Sequence, residues 1–175
     1  MAPERVKEMV ARADKLGVPR NSGMFKNALD TVQNLSPETI SAKMDFLRRA
    51  LGCSKSEVGI AVCRSPRILS LSEDNLGRTV EFLKVEVGLE AWYIVHMPAM
   101  LQCSILKWLM PRHYVLKVLK AKGLVKRDID FYSVVCLGQK RLVEKFLDCY
   151  KESVPWLLGA YDAACAGQVP LEIKA

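Results

Sequence analysis

"RSPRILSLS" (residues 64–72) and "HMPAMLQCS" (residues 96–104) are two versions of one phrase, and their recurrence decides the fold. Each places a basic or ionisable residue, Arg64 or His96, two positions before a proline and a leucine, Leu69 or Leu101, three positions after it. Working outward, Gly17, Gly52, Gly88 and Gly123 each close a stretch of helical periodicity, and they stand 35, 36 and 35 residues apart. Glycine just past a helix takes the left-handed backbone conformation at little steric cost. The spacing therefore marks a structural period.

A shift of 36 superposes Ser36 on Ser72, Ile40 on Leu76, Met44 on Val80, Phe46 on Phe82, Leu47 on Leu83, Leu51 on Val87 and Gly52 on Gly88. The apolar positions fall at i, i+4, i+7 and i+11, a stripe along one side of a helix. Ser36 and Ser72 suit the N-cap, and Pro37 suits the first helical position, where its missing N–H costs nothing. A shorter helix follows each glycine, Ser54 to Cys63 in one unit and about Glu90 to Met97 in the next, with Ser54 and Glu57 at capping-box spacing. The proline phrase then opens a one-turn helix, with Ser65 as a cap before Pro66. The phrases are 32 residues apart because the second middle helix is shorter.

Farther on, Pro111 opens a helix through Val115, Leu116 and Leu119. Leu142, Val143, Phe146, Leu147 and Tyr150 form another amphipathic stripe, and Val154 to Cys165 a last apolar helix. A helical array must cover its terminal apolar face, so irregular ends are expected. No strand alternation runs to a useful length. The expectation is an all-α superhelical solenoid of three-helix repeats of about 35 residues, one domain over 1–175 with 142–175 as its C-terminal cap.

Composition agrees with a chain that buries a core: 50% hydrophobic and 26% charged residues. No apolar run approaches the roughly 18 residues that suggest a bilayer span. Six cysteines are widely spaced without a C-x-x-C, which reads as reduced thiols and argues against a zinc site or a disulfide framework. The N-terminal "MAPERVKEMVARADKLG" mixes acids with bases and lacks the apolar block of a secretory signal and the acid-poor character of a transit peptide. Trp92, Trp108 and Trp156 have apolar neighbours and read as packing anchors between repeats.

The P-x-x-L opening, a long helix ending in "LG" or "VG", and a proline phrase after the middle helix resemble the mitochondrial transcription termination factor (mTERF) family. "GVPRNSGMF", "SEVGIAVCRSPRIL", "VGLEAWYIVHMPAML", "PRHYVLKVLKAKGL" and "YKESVPWLLGAYDAAC" are similar to the phrasing of its plant organellar members, over nearly the whole chain. The resemblance implies a stacked superhelix of three-helix units whose basic concave side binds double-stranded nucleic acid in mitochondria or chloroplasts. It also implies a role in organellar transcription, its termination, or RNA processing. The chain starts almost inside a repeat, as a short or N-terminally truncated member would.

Charge locates a candidate site independently. Residues 1–90 carry a net +2, residues 91–127 a net +7 and residues 128–175 a net −2. The central 37 residues hold seven cations and no acid, namely Lys107, Arg112, Lys117, Lys120, Lys122, Lys126 and Arg127. An acid-free run has no local partners to neutralise it, and clustered cations are what phosphate binding needs. Arg64 and Arg67 bracket the first proline phrase and Arg78 lies near the start of the next long helix. Helix starts add exposed N–H groups that attract anions.

These ten residues are the candidate nucleic-acid contacts. No G-x-S-x-G, H-E-x-x-H or cysteine–histidine pairing suggests catalysis, and the two histidines lack metal-ligand spacing. The sequence therefore reads as a non-enzymatic regulator of organellar transcription, including termination, without a metal, cofactor, membrane or small-molecule substrate. Its expected partners are double-stranded DNA or structured RNA, with the organellar transcription machinery beside them. Two alternatives remain: an RNA-binding accessory in intron splicing and a protein-interaction solenoid.

Overall fold

The computed structural model describes residues 1–168; residues 169–175 of the expected C-terminal cap lie outside the described residues. The chain divides into two compact units, one from Met1 to Gln102 and one beginning at Cys103. No strand occurs among the described residues, and the fold is all-α.

In the first unit, α1 (Pro3–Lys15) packs against α2 (Met24–Asn34), and two full repeats follow. The first repeat is α3 (Pro37–Leu51), α4 (Lys55–Arg64) and a 3-10 turn (Pro66–Ser70). The second is α5 (Glu73–Glu81) running on into a π-helical turn (Phe82–Glu86), then α6 (Ala91–His96) and a 3-10 turn (Pro98–Gln102). Like lies on like: α3 contacts α5, α4 contacts α6, and the two 3-10 turns contact each other. The solenoid therefore follows from the repeat itself. α3 and α5 lie together with much of their stripes buried, Ile40, Leu47 and Leu51 on the one and Leu76 and Val80, continued by Leu83, on the other.

Local chemistry sets the boundaries. Ser36 and Ser72 each accept a hydrogen bond from the N–H three residues on, Thr39 and Asn75, at 3.1 Å. Ser54 and Glu57 close a reciprocal capping box, and those bonds hold the Glu57 carboxyl below its ordinary range. The four spaced glycines all take the left-handed conformation, with φ of 82°, 68°, 81° and 68° at Gly17, Gly52, Gly88 and Gly123. A side chain with a Cβ is disfavoured there.

The recurring phrase is itself a contact. The Arg64 guanidinium donates to the His96 carbonyl at 3.2 Å, and the Gln102 amide donates to the Ser65 hydroxyl. Ser65 was expected to cap the short turn; its hydroxyl makes no cap bond and instead joins one repeat to the next. The backbone carbonyls before Ser36 and Ser72 are used similarly: Arg12 donates to Leu35 O and Lys43 to Leu71 O.

The second unit contains a π-helical turn (Ile105–Leu109) continuing into α7 (Met110–Ala121), then α8 (Phe131–Val135) and α9 (Gln139–Leu142). A second π turn (Val143–Leu147), a 3-10 turn (Asp148–Tyr150) and α10 (Leu157–Cys165) complete it. α10 lies against α7 and the first π turn, enclosing Leu109, Val115, Leu119 and Leu157.

The sequence placed the start of this long helix at Pro111, whereas it begins at Ser104, whose hydroxyl caps the Lys107 N–H at 3.2 Å. Ser104 follows Ser72 by the same 32 residues that separate the proline phrases. Proline inside a helix lacks a donor and its ring clashes with the carbonyl four residues back. The wider π turn just ahead of Pro111, closed by Leu109 N to Ser104 O at 3.0 Å, absorbs that clash.

Candidate nucleic-acid interface

The ten candidate cations fall on both units, and the structure sorts them by what already holds them. In the first unit Arg64, Arg67 and Arg78 are all exposed. Arg64 is engaged with the His96 carbonyl, Arg67 lies 3.9 Å from Asp30, and Arg78 pairs with Asp74 at 2.8 Å one helical turn away. Exposed pairs of this kind are worth roughly 0–1 kcal/mol, so phosphate could displace them.

In the second unit Lys107, Lys117, Lys122, Lys126 and Arg127 are exposed and Lys120 is half-buried. Among the described residues none of these six makes an ion pair within 4.0 Å. Lys117 and Lys120 are about 60° apart around α7 at 100° per residue, and so share a face. Lys120 and Lys122 stand at the C-terminal end of α7, with Lys126 and Arg127 in the turn beyond Gly123. The partial negative charge of the helix end stabilises cations there. The arrangement leaves a charged knuckle with no ion pair within 4.0 Å among the described residues.

Arg112 requires a correction. Expected at a helix start as a phosphate contact, it is 0% exposed. Its guanidinium lies 3.7 Å from the centre of the Trp108 ring, and Nη1 reaches the carbonyls of Val134, Val135 and Leu137 at 2.7, 3.4 and 2.6 Å. These carbonyls end α8, so Arg112 satisfies a helix C-terminus from within the core. Burial lowers its pKa, and among the described residues Nε and Nη2 have no hydrogen-bond partner. A group so enclosed cannot reach a duplex. The sequence carried the signal: Arg112, Val115, Leu116 and Leu119 stand at i, i+3, i+4 and i+7, which puts the arginine on the apolar stripe.

Around it, Trp108 Nε1 donates to Val135 O at 2.9 Å and Tyr161 donates to Gln139 Oε1 at 2.8 Å. Burial, with a hydrogen bond to Cys165, pushes the Tyr161 phenol up to about 12. Trp108 thus serves as a core anchor. Trp92 and Trp156 do not: they are 56% and 42% exposed. Trp92 donates to Glu90 at 2.7 Å and meets the His96 ring edge-on. In a helix as short as α6, Ile94 and Val95 occupy the core-facing side and leave Trp92 outside.

Among the described residues, no three metal-ligating side chains come together and no helix is long and apolar enough to cross a membrane. The cysteines are free thiols. The mTERF family model matches residues 4–150. Neither the curated proteins nor the solved structures yielded a match. With serine-capped helices, left-handed glycines and proline turns stacked at the expected period, and with the family match spanning most of its length, the chain belongs to the mTERF family, whose members are non-enzymatic, nucleic-acid-binding helical-repeat proteins of organelles.

Proposed function

We propose that this chain binds double-stranded nucleic acid through its phosphates and thereby regulates organellar transcription, including termination. The observation that carries the reading is the stretch from Lys107 to Arg127, where six surface cations have no acidic partner among the described residues. Lysine supplies a point charge suited to phosphate, without the planar fork that reads base edges. Lys117 and Lys120 track the backbone from one face of α7, and Lys122, Lys126 and Arg127 extend the contact past its end; Arg64, Arg67 and Arg78 are the first unit's own candidate contacts, each after exchanging its present partner. A protein bound this way obstructs or recruits the organellar transcription machinery.

The test is a fluorescence-anisotropy titration with duplex DNA, duplex RNA and single strands over a salt series. Phosphate binding gives a log–log slope of about −0.9 per neutralised phosphate on B-DNA. Salt-independent binding, or none at low salt by a folded chain, overturns the proposal. A second reading, RNA recognition in splicing, draws on the exposure of Trp92 and Trp156, since bases of single strands stack on exposed aromatic faces. Preference for single-stranded RNA, lost on Trp92→Ala, would favour it over the duplex.

A further inference from the structure

A groove of about 540 Å³ opens in the first unit, and none of the ten candidate cations lines it. Its long wall is one face of α3, from Pro37 through Ile40, Ser41, Met44 and Asp45 to Arg48. At 1.5 Å per residue that wall is about 16 Å long, or roughly three helical turns. Stripes of this i, i+3, i+4, i+7 pattern ordinarily bury against another helix. This one stays open, with Met44 half-buried and Ser41 exposed.

The floor is apolar and the rim cationic. Ile40 and Val58 are buried and Leu16 is half-buried; Lys15 from the last turn of α1, Arg48 from the last turn of α3 and Lys55 from the start of α4 stand around them. Among the described residues none of these three cations makes an ion pair, and Arg12 adds a fourth positive charge while its guanidinium holds the Leu35 carbonyl. Asp45 is the acid in the lining. Nearby Asp14 is already paired with Arg20 at 2.5 Å. Leu16 is tied to α4, where the Cys63 thiol donates to its carbonyl at 3.2 Å.

We propose that this groove docks an acidic amphipathic helix of a partner protein. A phosphate backbone would leave the floor of Leu16, Ile40, Met44 and Val58 uncovered. A helix covers it with a row of apolar side chains at i, i+3 or i+4, and i+7, and places Asp or Glu on its flanks against Lys15, Arg48 and Lys55. The volume lies within the roughly 300–1,000 Å³ of pockets that hold a ligand, enough for such a row while the helix backbone stays outside. Four cations against one acid select an acidic partner and repel a basic one.

The experiment uses the full chain and two fluorescein-labelled helical peptides with the same Leu row, one flanked by Glu and one by Lys, read by anisotropy with a 20-base-pair duplex as a third probe. The Glu peptide should bind saturably and at least tenfold more tightly than the Lys peptide. Ser41→Trp, which fills the groove from an exposed position, and Met44→Glu, which charges its floor, should each weaken that binding at least tenfold. The Lys15→Glu/Lys55→Glu variant should reverse the preference. Circular dichroism confirms folding, and Ser41→Trp decides the matter if Met44→Glu fails to fold. Equal affinity for the two peptides, no saturable binding, or binding untouched by Ser41→Trp overturns the proposal. So does loss of duplex affinity in Ser41→Trp without a peptide effect, which would give the groove to nucleic acid. Because duplex binding is read separately through Lys117 and Lys120, the two proposals can fail independently.

Discussion

The two units differ in how far their positive charge is already engaged. In the first, seven cations are committed: Arg20, Arg67 and Arg78 face carboxylates, while Arg12, Lys43, Arg64 and Lys84 donate to backbone carbonyls, Lys84 to Leu51 O at 3.0 Å; Lys15, Arg48 and Lys55 around the groove make no ion pair among the described residues. Several of these bonds cross from one repeat to the next, where they satisfy carbonyls that helix ends leave open. In the second unit one arginine is swallowed by the core and six cations between Lys107 and Arg127 stand without acidic partners among the described residues. Formal charge therefore says little about availability. Four of the first unit's basic residues help join its helices and repeats, and six of the second's make no ion pair among the described residues.

The largest expected effect lies inside the second unit. Arg112→Ala removes a buried cation and strands the carbonyls of Val134, Val135 and Leu137 at and just past the end of α8, and should cost about 3–5 kcal/mol in urea unfolding followed by circular dichroism. Arg112→Met, which keeps much of the volume without the charge, should recover part of that loss. A cost below about 1 kcal/mol for the alanine variant, together with weakened duplex binding, would return Arg112 to the surface and break the contrast.

Next comes the contrast in availability itself. Lys117→Ala/Lys120→Ala should flatten the salt slope by about 2 and weaken duplex binding at low salt by roughly tenfold or more. Arg67→Ala/Arg78→Ala, which also frees Asp30 and Asp74, should change the slope by less. Equal effects would show that the exposed carboxylates offer no competition.

Smaller effects test the repeat. Ser72→Ala and Ser104→Ala should each cost about 1 kcal/mol, because each removes one N-cap bond of a long helix. A silent Ser104→Ala would move the third long helix back to Pro111. Smallest of all, Arg78→Ala should change stability by no more than about 0.5 kcal/mol, since both members of its pair are largely exposed and one turn apart.

The serines, glycines and prolines that punctuate the repeat were legible because each acts locally. Ser36 reaches Thr39, Gly52 turns its own backbone, and Pro66 opens its own turn, so a short window of sequence contains the whole cause. Ser104 was equally legible in kind; Pro111 distracted from it, and only the π turn reconciles the two. Arg112 was legible by periodicity and was overruled by its charge.

What the sequence by itself determined is therefore the all-α repeat, its period, its caps and the acid-free basic stretch, all properties of residues near one another along the chain. Tertiary structure alone decided which carbonyls meet Arg64 and Arg112, that the Gln102 amide meets the Ser65 hydroxyl, why Trp108 is half-buried beside Arg112 while Trp92 and Trp156 are exposed, and that one face of α3 stays open as a groove. The physical reason is range. Capping and helical periodicity act over about one to three turns, whereas burial depends on what arrives from tens of residues away, and it fixes whether a given cation meets solvent, a carbonyl or an aromatic ring.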